Sequence, residues 1–198
     1  MERSMTAQER SRWLEQLAIQ EAALDLTLEK GYRGFTMDEL AQRTGMPRRT
    51  LFQRVGDKMS AVMGVEDDPS SSQAPDFDPA LSPFDAYVAT ALRLIDEVQI
   101  DESVLAIHAK YRQAIAQEPR LAAESARRTE RNLEAAADAL RAQHGWAPDD
   151  PRPVVLSRVM SALLEEAIAR VLAAQEQGDP LDVGQELRRL TETLKSLI

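Results

Sequence analysis

Residues 45–58 read Gly45-Met46-Pro47-Arg48-Arg49-Thr50-Leu51-Phe52-Gln53-Arg54-Val55-Gly56-Asp57-Lys58. This stretch is basic in an acidic chain. The whole protein of 198 residues carries a net charge of −9, yet from 43 to 58 Arg43, Arg48, Arg49, Arg54 and Lys58 face only Asp57, a local net of +4. The stretch is also punctuated. Gly45 suits a left-handed turn, Pro47 suits the first turn of a helix, and Asp57 suits the N-cap of the next one. Two short helices joined by a tight turn containing glycine form a helix-turn-helix. Thr36 with Glu39 three residues on reads as a capping box that opens the first of the two, which ends near Thr44. Ala41 supplies the small residue where the helices cross. Leu40, Met46, Leu51 and Val55 face inward, leaving Arg48, Arg49, Thr50, Gln53 and Arg54 on the outer face. Such side chains on a short exposed helix suit phosphates and base edges.

Outward from this motif the chain reads as all-α. Ala, Leu, Glu, Arg and Gln dominate, and no period-2 strand is evident. Upstream, a helix is expected over about 8–30, closed by Gly31 as a left-handed cap. Downstream, a fourth short helix begins KMSAVMG. Residues 64–83 then hold four prolines, four serines and five acids, the texture of a linker or surface loop. Helices follow at about 84–98, 102–117, 119–144, 151–177 and 181–197. The expected organisation is a DNA-binding domain at 1–63, the acidic loop at 64–83, and a helical domain at 84–198, with about nine helices in all.

Composition excludes several functions. The chain is 43% hydrophobic, enough for a packed core, and has no cysteine, so neither disulfides nor thiolate chemistry is available. No apolar run approaches a membrane span and the N-terminus lacks a signal-peptide core, so a soluble cytoplasmic protein without membrane partners is expected. The acidic total argues against a general nucleic-acid coat. Residues 1–65 nevertheless carry +1 and the remainder −10, which points to two parts with different partners. His108 and His144 stand far apart with no metal-ligand spacing, Glu165 and Glu166 diverge on a helix, and no phosphate loop or nucleophile elbow exists. No enzyme, metal or cofactor is expected.

The stretch from Ala18 to Lys58 resembles the DNA-binding domain of the TetR family of bacterial transcriptional regulators. The resemblance rests on Ala22, Ala23, Leu24, Leu26, Gly31, Tyr32, Thr36, Leu40, Ala41, Gly45, Thr50, Leu51, Phe52, Arg54, Val55 and Lys58. Four positions depart from the family pattern: Thr27 and Val55 replace phenylalanines, Phe52 a tyrosine, and Arg54 a frequent histidine. The resemblance implies that Arg48 and Arg49 enter the major groove and that Phe52 meets a thymine methyl or sugar. It also implies that Tyr32, Thr36, Thr50, Arg54 and Lys58 hold phosphates. It implies further a homodimer on a palindromic operator, repression as the default, and a small-molecule effector, largely apolar, bound among helices 84–144. Candidate pocket residues there are Tyr87, Leu94, Val98, Leu105, His108, Tyr111 and Ile115. For the dimer, rows of apolar residues on the last two helices are candidates: Val155, Val159, Met160, Leu163, Leu164, Ala167 and Val171, then Val183, Leu187, Leu190 and Leu194. The competing reading is a helical protein-interaction module without specific DNA binding.

Overall fold

Helix starts in this chain are set by side chains that take up free amide groups. In the computed structural model, which describes residues 6–65, 76–98, 100–179 and 181–197, Thr6 caps α1 (Ala7–Lys30) by a capping box with Glu9. Thr36 caps α2 (Met37–Thr44) in the same way: its Oγ1 accepts from the Glu39 amide at 3.2 Å, and Glu39 accepts the Thr36 amide at 2.8 Å. Each such cap is worth about 1 kcal/mol. Helix α3 (Arg48–Val55) follows Pro47, which sits just before the first turn rather than inside it. Asp57 caps α4 (Lys58–Met63), accepting from the Ser60 amide at 2.7 Å.

The α2–α3 turn closes as a Schellman motif. Gly45 is left-handed (φ 67, ψ 14), its amide reaches the Gln42 carbonyl, and the Met46 amide reaches the Ala41 carbonyl at 3.1 Å. Gly31 differs from the expected left-handed cap. Its φ is 77 but its ψ is 155, an extended conformation open essentially to glycine alone. The reason lies in the next amide. The Tyr32 N–H does not fold back onto α1 but donates to Glu118 Oε1 at 2.7 Å.

The remaining helices are α5 (Pro83–Val98), α6 (Glu102–Gln117), α7 (Pro119–His144), α8 (Arg152–Glu176) and α9 (Val183–Leu197), so the described residues hold nine helices and no strand. By contact the chain divides into two compact units. One comprises 1–73 with 101–127, the other 74–100 with 128–198. The first unit therefore includes α6 beside the N-terminal helices, a grouping that cuts across segment limits at 63 and 84. Its core is Ile19, Leu24, Phe35, Leu40, Leu51 and Val62, all essentially inaccessible, with Ile107, Ala114 and Leu121 packed into the same cluster. Emptying any one of these leucines would cost ~2–5 kcal/mol. Thr27 is buried here too, and its hydroxyl is satisfied by the Ala23 carbonyl at 2.7 Å. In the second unit α9 packs on α5 and α8, and Phe77, Ala86 and Leu140 form a smaller core. Residues 66–75 of the acidic loop lie outside the described residues; Phe77, nearer its end, is buried against Tyr87.

Candidate nucleic-acid interface

Helix α3 buries Leu51 and Val55 in the first unit and turns Arg48, Arg49, Phe52 and Gln53 to solvent, with Thr50 and Arg54 half-buried at its margins. The separation follows from helical spacing. Positions 51 and 55 are one turn apart on one side, and 48, 49, 52 and 53 crowd the other. The core thus holds α3 by two side chains and leaves the opposite face open to solvent.

Carboxylates that come from other helices shape the charge on this face. Arg48 Nε lies 3.1 Å from Asp38 Oδ1, from the first turn of α2, and its guanidinium stands over the Phe52 ring, 5.6 Å from the centroid. Arg54 Nε lies 2.9 Å from Glu15 Oε2, close enough for an ion pair although the angle falls short of a hydrogen bond. Arg43 donates to both oxygens of Glu29, at 3.0 and 2.7 Å. That bidentate hydrogen bond holds the Glu29 carboxyl below its ordinary range. These three carboxylates offset most of the local excess of +4 before any ligand arrives, and among the described residues Arg49 has no such partner.

Tyr32 and Lys58 differ from the other expected contacts. Tyr32 is buried, with Arg120 and Lys58 over its ring, and burial pushes its phenol up. Lys58 Nζ donates to the Phe35 carbonyl and lies 3.8 Å from the Phe35 ring centroid; burial pushes its ammonium down. Both residues brace the α1–α2 corner against α4 and are turned inward rather than toward an external phosphate. Thr36 stays exposed, its hydroxyl committed to the capping box.

Residues 19–59 match the family model of the bacterial regulatory proteins of the tetR family. The chain carries a TetR-family DNA-binding domain. No curated protein matches it significantly. The TetR-type domain sits on α1 to α4, and α6 is bound to it by polar contacts that sequence reasoning missed. Lys110 on α6 lies 2.9 Å from Glu21 and 2.7 Å from Asp25 on α1, and the hydrogen bond to Asp25 raises its ammonium. Glu118, after α6, holds the Tyr32 amide. Tyr32 and Glu118 are 86 residues apart and Lys110 and Glu21 are 89, and no local pattern announces them.

The other expected sites scatter. Of the pocket candidates, Tyr87, Leu94 and Val98 belong to the second unit, while Leu105, His108, Tyr111 and Ile115 belong to the first. Tyr111 and Ile115 pack against the core of the TetR-type domain, and the Tyr111 hydroxyl donates to Ser125 at 3.0 Å. Leu94 is exposed. Of the dimer candidates, Met160, Ala167, Val171, Val183 and Leu187 are interior residues of the second unit itself. Val155 is 58% exposed, and Val159, Leu163, Leu164, Leu190 and Leu194 are half-buried. Among the described residues no helix is long and apolar enough to cross a membrane, and no cluster could hold a metal ion.

Proposed function

We propose that this TetR-type transcriptional regulator works as a homodimer, represses transcription from a palindromic operator, and releases it when a small, largely apolar effector binds. The observation that carries the reading is the exposed face of α3, with Arg48, Arg49 and Gln53 set over the fully buried Leu51 in a segment that matches the family. Arg48 and Arg49 would read guanine edges, Phe52 would meet an apolar base or sugar surface, and Thr50 and Arg54 would take phosphates. One such helix gives weak selectivity; two, related by a twofold axis, double the contacts. Val155 with Val159 and Leu163 on α8, and Leu190 with Leu194 on α9, supply apolar surface that one chain leaves partly open. That surface suits a second copy.

The test is a gel shift with DNA upstream of the gene and from neighbouring intergenic regions, at two salt concentrations, followed by native mass spectrometry of the complex. Two chains per duplex on a defined site are expected. Absence of any site-specific complex would leave the helix-turn-helix as a protein-interaction module.

A further inference from the structure

Asp38 is an unusual neighbour for a DNA-reading arginine. It stands 60% exposed on the first turn of α2, beside an arginine of the helix proposed to enter the groove. A carboxylate there opposes phosphate binding. In the first turn of α2 it also complements the helix dipole, but the capping box itself is closed by Glu39 and Thr36. What Asp38 does touch is Arg48, at its Nε edge, while the guanidinium carbon of the same side chain stands over the Phe52 ring, 5.6 Å from its centroid. The two contacts come from different helices and fix different degrees of freedom. The carboxylate draws the Nε edge of the guanidinium toward α2, and the ring draws its charge over a π-face.

The contact is an ion pair whose angle falls short of a hydrogen bond; with the carboxylate beside Nε, the two terminal nitrogens are left for other acceptors. They form one of the two edges of an arginine that can donate a parallel pair of hydrogen bonds to guanine O6 and N7. A free arginine on a surface samples many rotamers and loses them on binding; a held one loses fewer. Arg49, one residue along, has no such support among the described residues.

We infer that Asp38 is a positioning residue that locks Arg48 for end-on guanine recognition, so that it raises sequence selectivity while lowering affinity for DNA at large. The inference rests on the proposal that α3 enters the major groove. The experiment is selection from a randomised duplex library by the purified full-length chain and its Asp38→Asn, Arg48→Ala and Asp38→Asn/Arg48→Ala variants, with affinities for the selected site and an unrelated duplex. The wild type is expected to yield a motif with a guanine position that Arg48→Ala relaxes. Asp38→Asn should relax that same position about tenfold and no other. Its affinity for the unrelated duplex should stay equal or rise. The double variant should be no less selective than Arg48→Ala alone. Unchanged preference at that position in Asp38→Asn, or an equal loss at every position, overturns the inference. A motif with no position dependent on Arg48 also overturns it while leaving the regulator reading intact. No motif from the wild type sinks both.

Discussion

Glu15→Gln should tighten binding to DNA of any sequence. The Glu15 carboxylate lies 2.9 Å from Arg54 Nε, and both side chains are substantially exposed, at 41% and 37%. A phosphate gripped by the far edge of Arg54 would lie about 6 Å from that carboxylate, where two like charges repel by ~0.7 kcal/mol at the dielectric of water and ~2.8 kcal/mol at an effective dielectric near 20. Taking ~1 kcal/mol per chain, the substitution should strengthen nonspecific binding about fivefold for one domain and roughly thirtyfold for two. The site's own net charge rises by one, so the slope of log affinity against log salt should steepen by up to about 0.9 per chain. An exposed ion pair contributes about 0–1 kcal/mol to stability, so the melting temperature should shift by only a few degrees. Fluorescence anisotropy with a labelled duplex over a salt series measures both quantities. Weaker binding, or an unchanged slope, would show that Arg54 does not meet phosphate and that Glu15 serves to hold it in place.

Two further substitutions probe the frame of the domain. Gly31→Ala places a Cβ 3.1 Å from Glu118 Oε1 in a backbone region that L-residues avoid. It should cost about 1–3 kcal/mol in denaturant unfolding, and a variant as stable as the wild type would refute the Gly31–Glu118 packing. In the second unit the Arg152 guanidinium holds the Asp150 carboxyl down to about 2, while Arg152 also lies over the Trp146 ring at 4.5 Å. A depressed carboxylate contributes stability above its unfolded-state value of about 4, which is lost as the pH falls toward 2. Asp150→Asn should therefore melt below the wild type at pH 5, with the gap closing by pH 2–3. A gap that does not change with pH would rule out the ion pair as its source.

What the sequence made legible here was local. The Thr36–Glu39 box, the Gly45 turn and the Asp57 cap each involve residues within a few positions of one another, and the structure shows all three. The inward set of Leu40, Met46, Leu51 and Val55 followed from helical spacing in the same way. Gly31 shows where locality fails: its ψ is set by the hydrogen bond of the following amide, Tyr32 N–H, to Glu118, 86 positions on from Tyr32. The carboxylates on Arg48, Arg54 and Arg43 were hidden for the same reason, since they come from helices α1 and α2. The apolar rows of α8 and α9 were visible but ambiguous. A four-residue repeat marks a buried face without saying what covers it, and Ala167 and Val171 are buried within the chain itself, where α8 packs on α9 and α5. Tyr111 and Ile115 were ambiguous likewise: apolar residues on α6 serve the core beneath the TetR-type domain.

The most direct test of the account is the binding of Arg48→Ala/Arg49→Ala to the wild-type site. Both side chains are exposed on α3 and neither supports the core, so the circular dichroism spectrum and melting temperature should match the wild type. Each lost base contact is worth ~1–3 kcal/mol, so preference for the site over unrelated duplex should fall by at least about thirtyfold for two substitutions. Selectivity that survives in the folded double variant would contradict the assignment of α3 as the recognition helix.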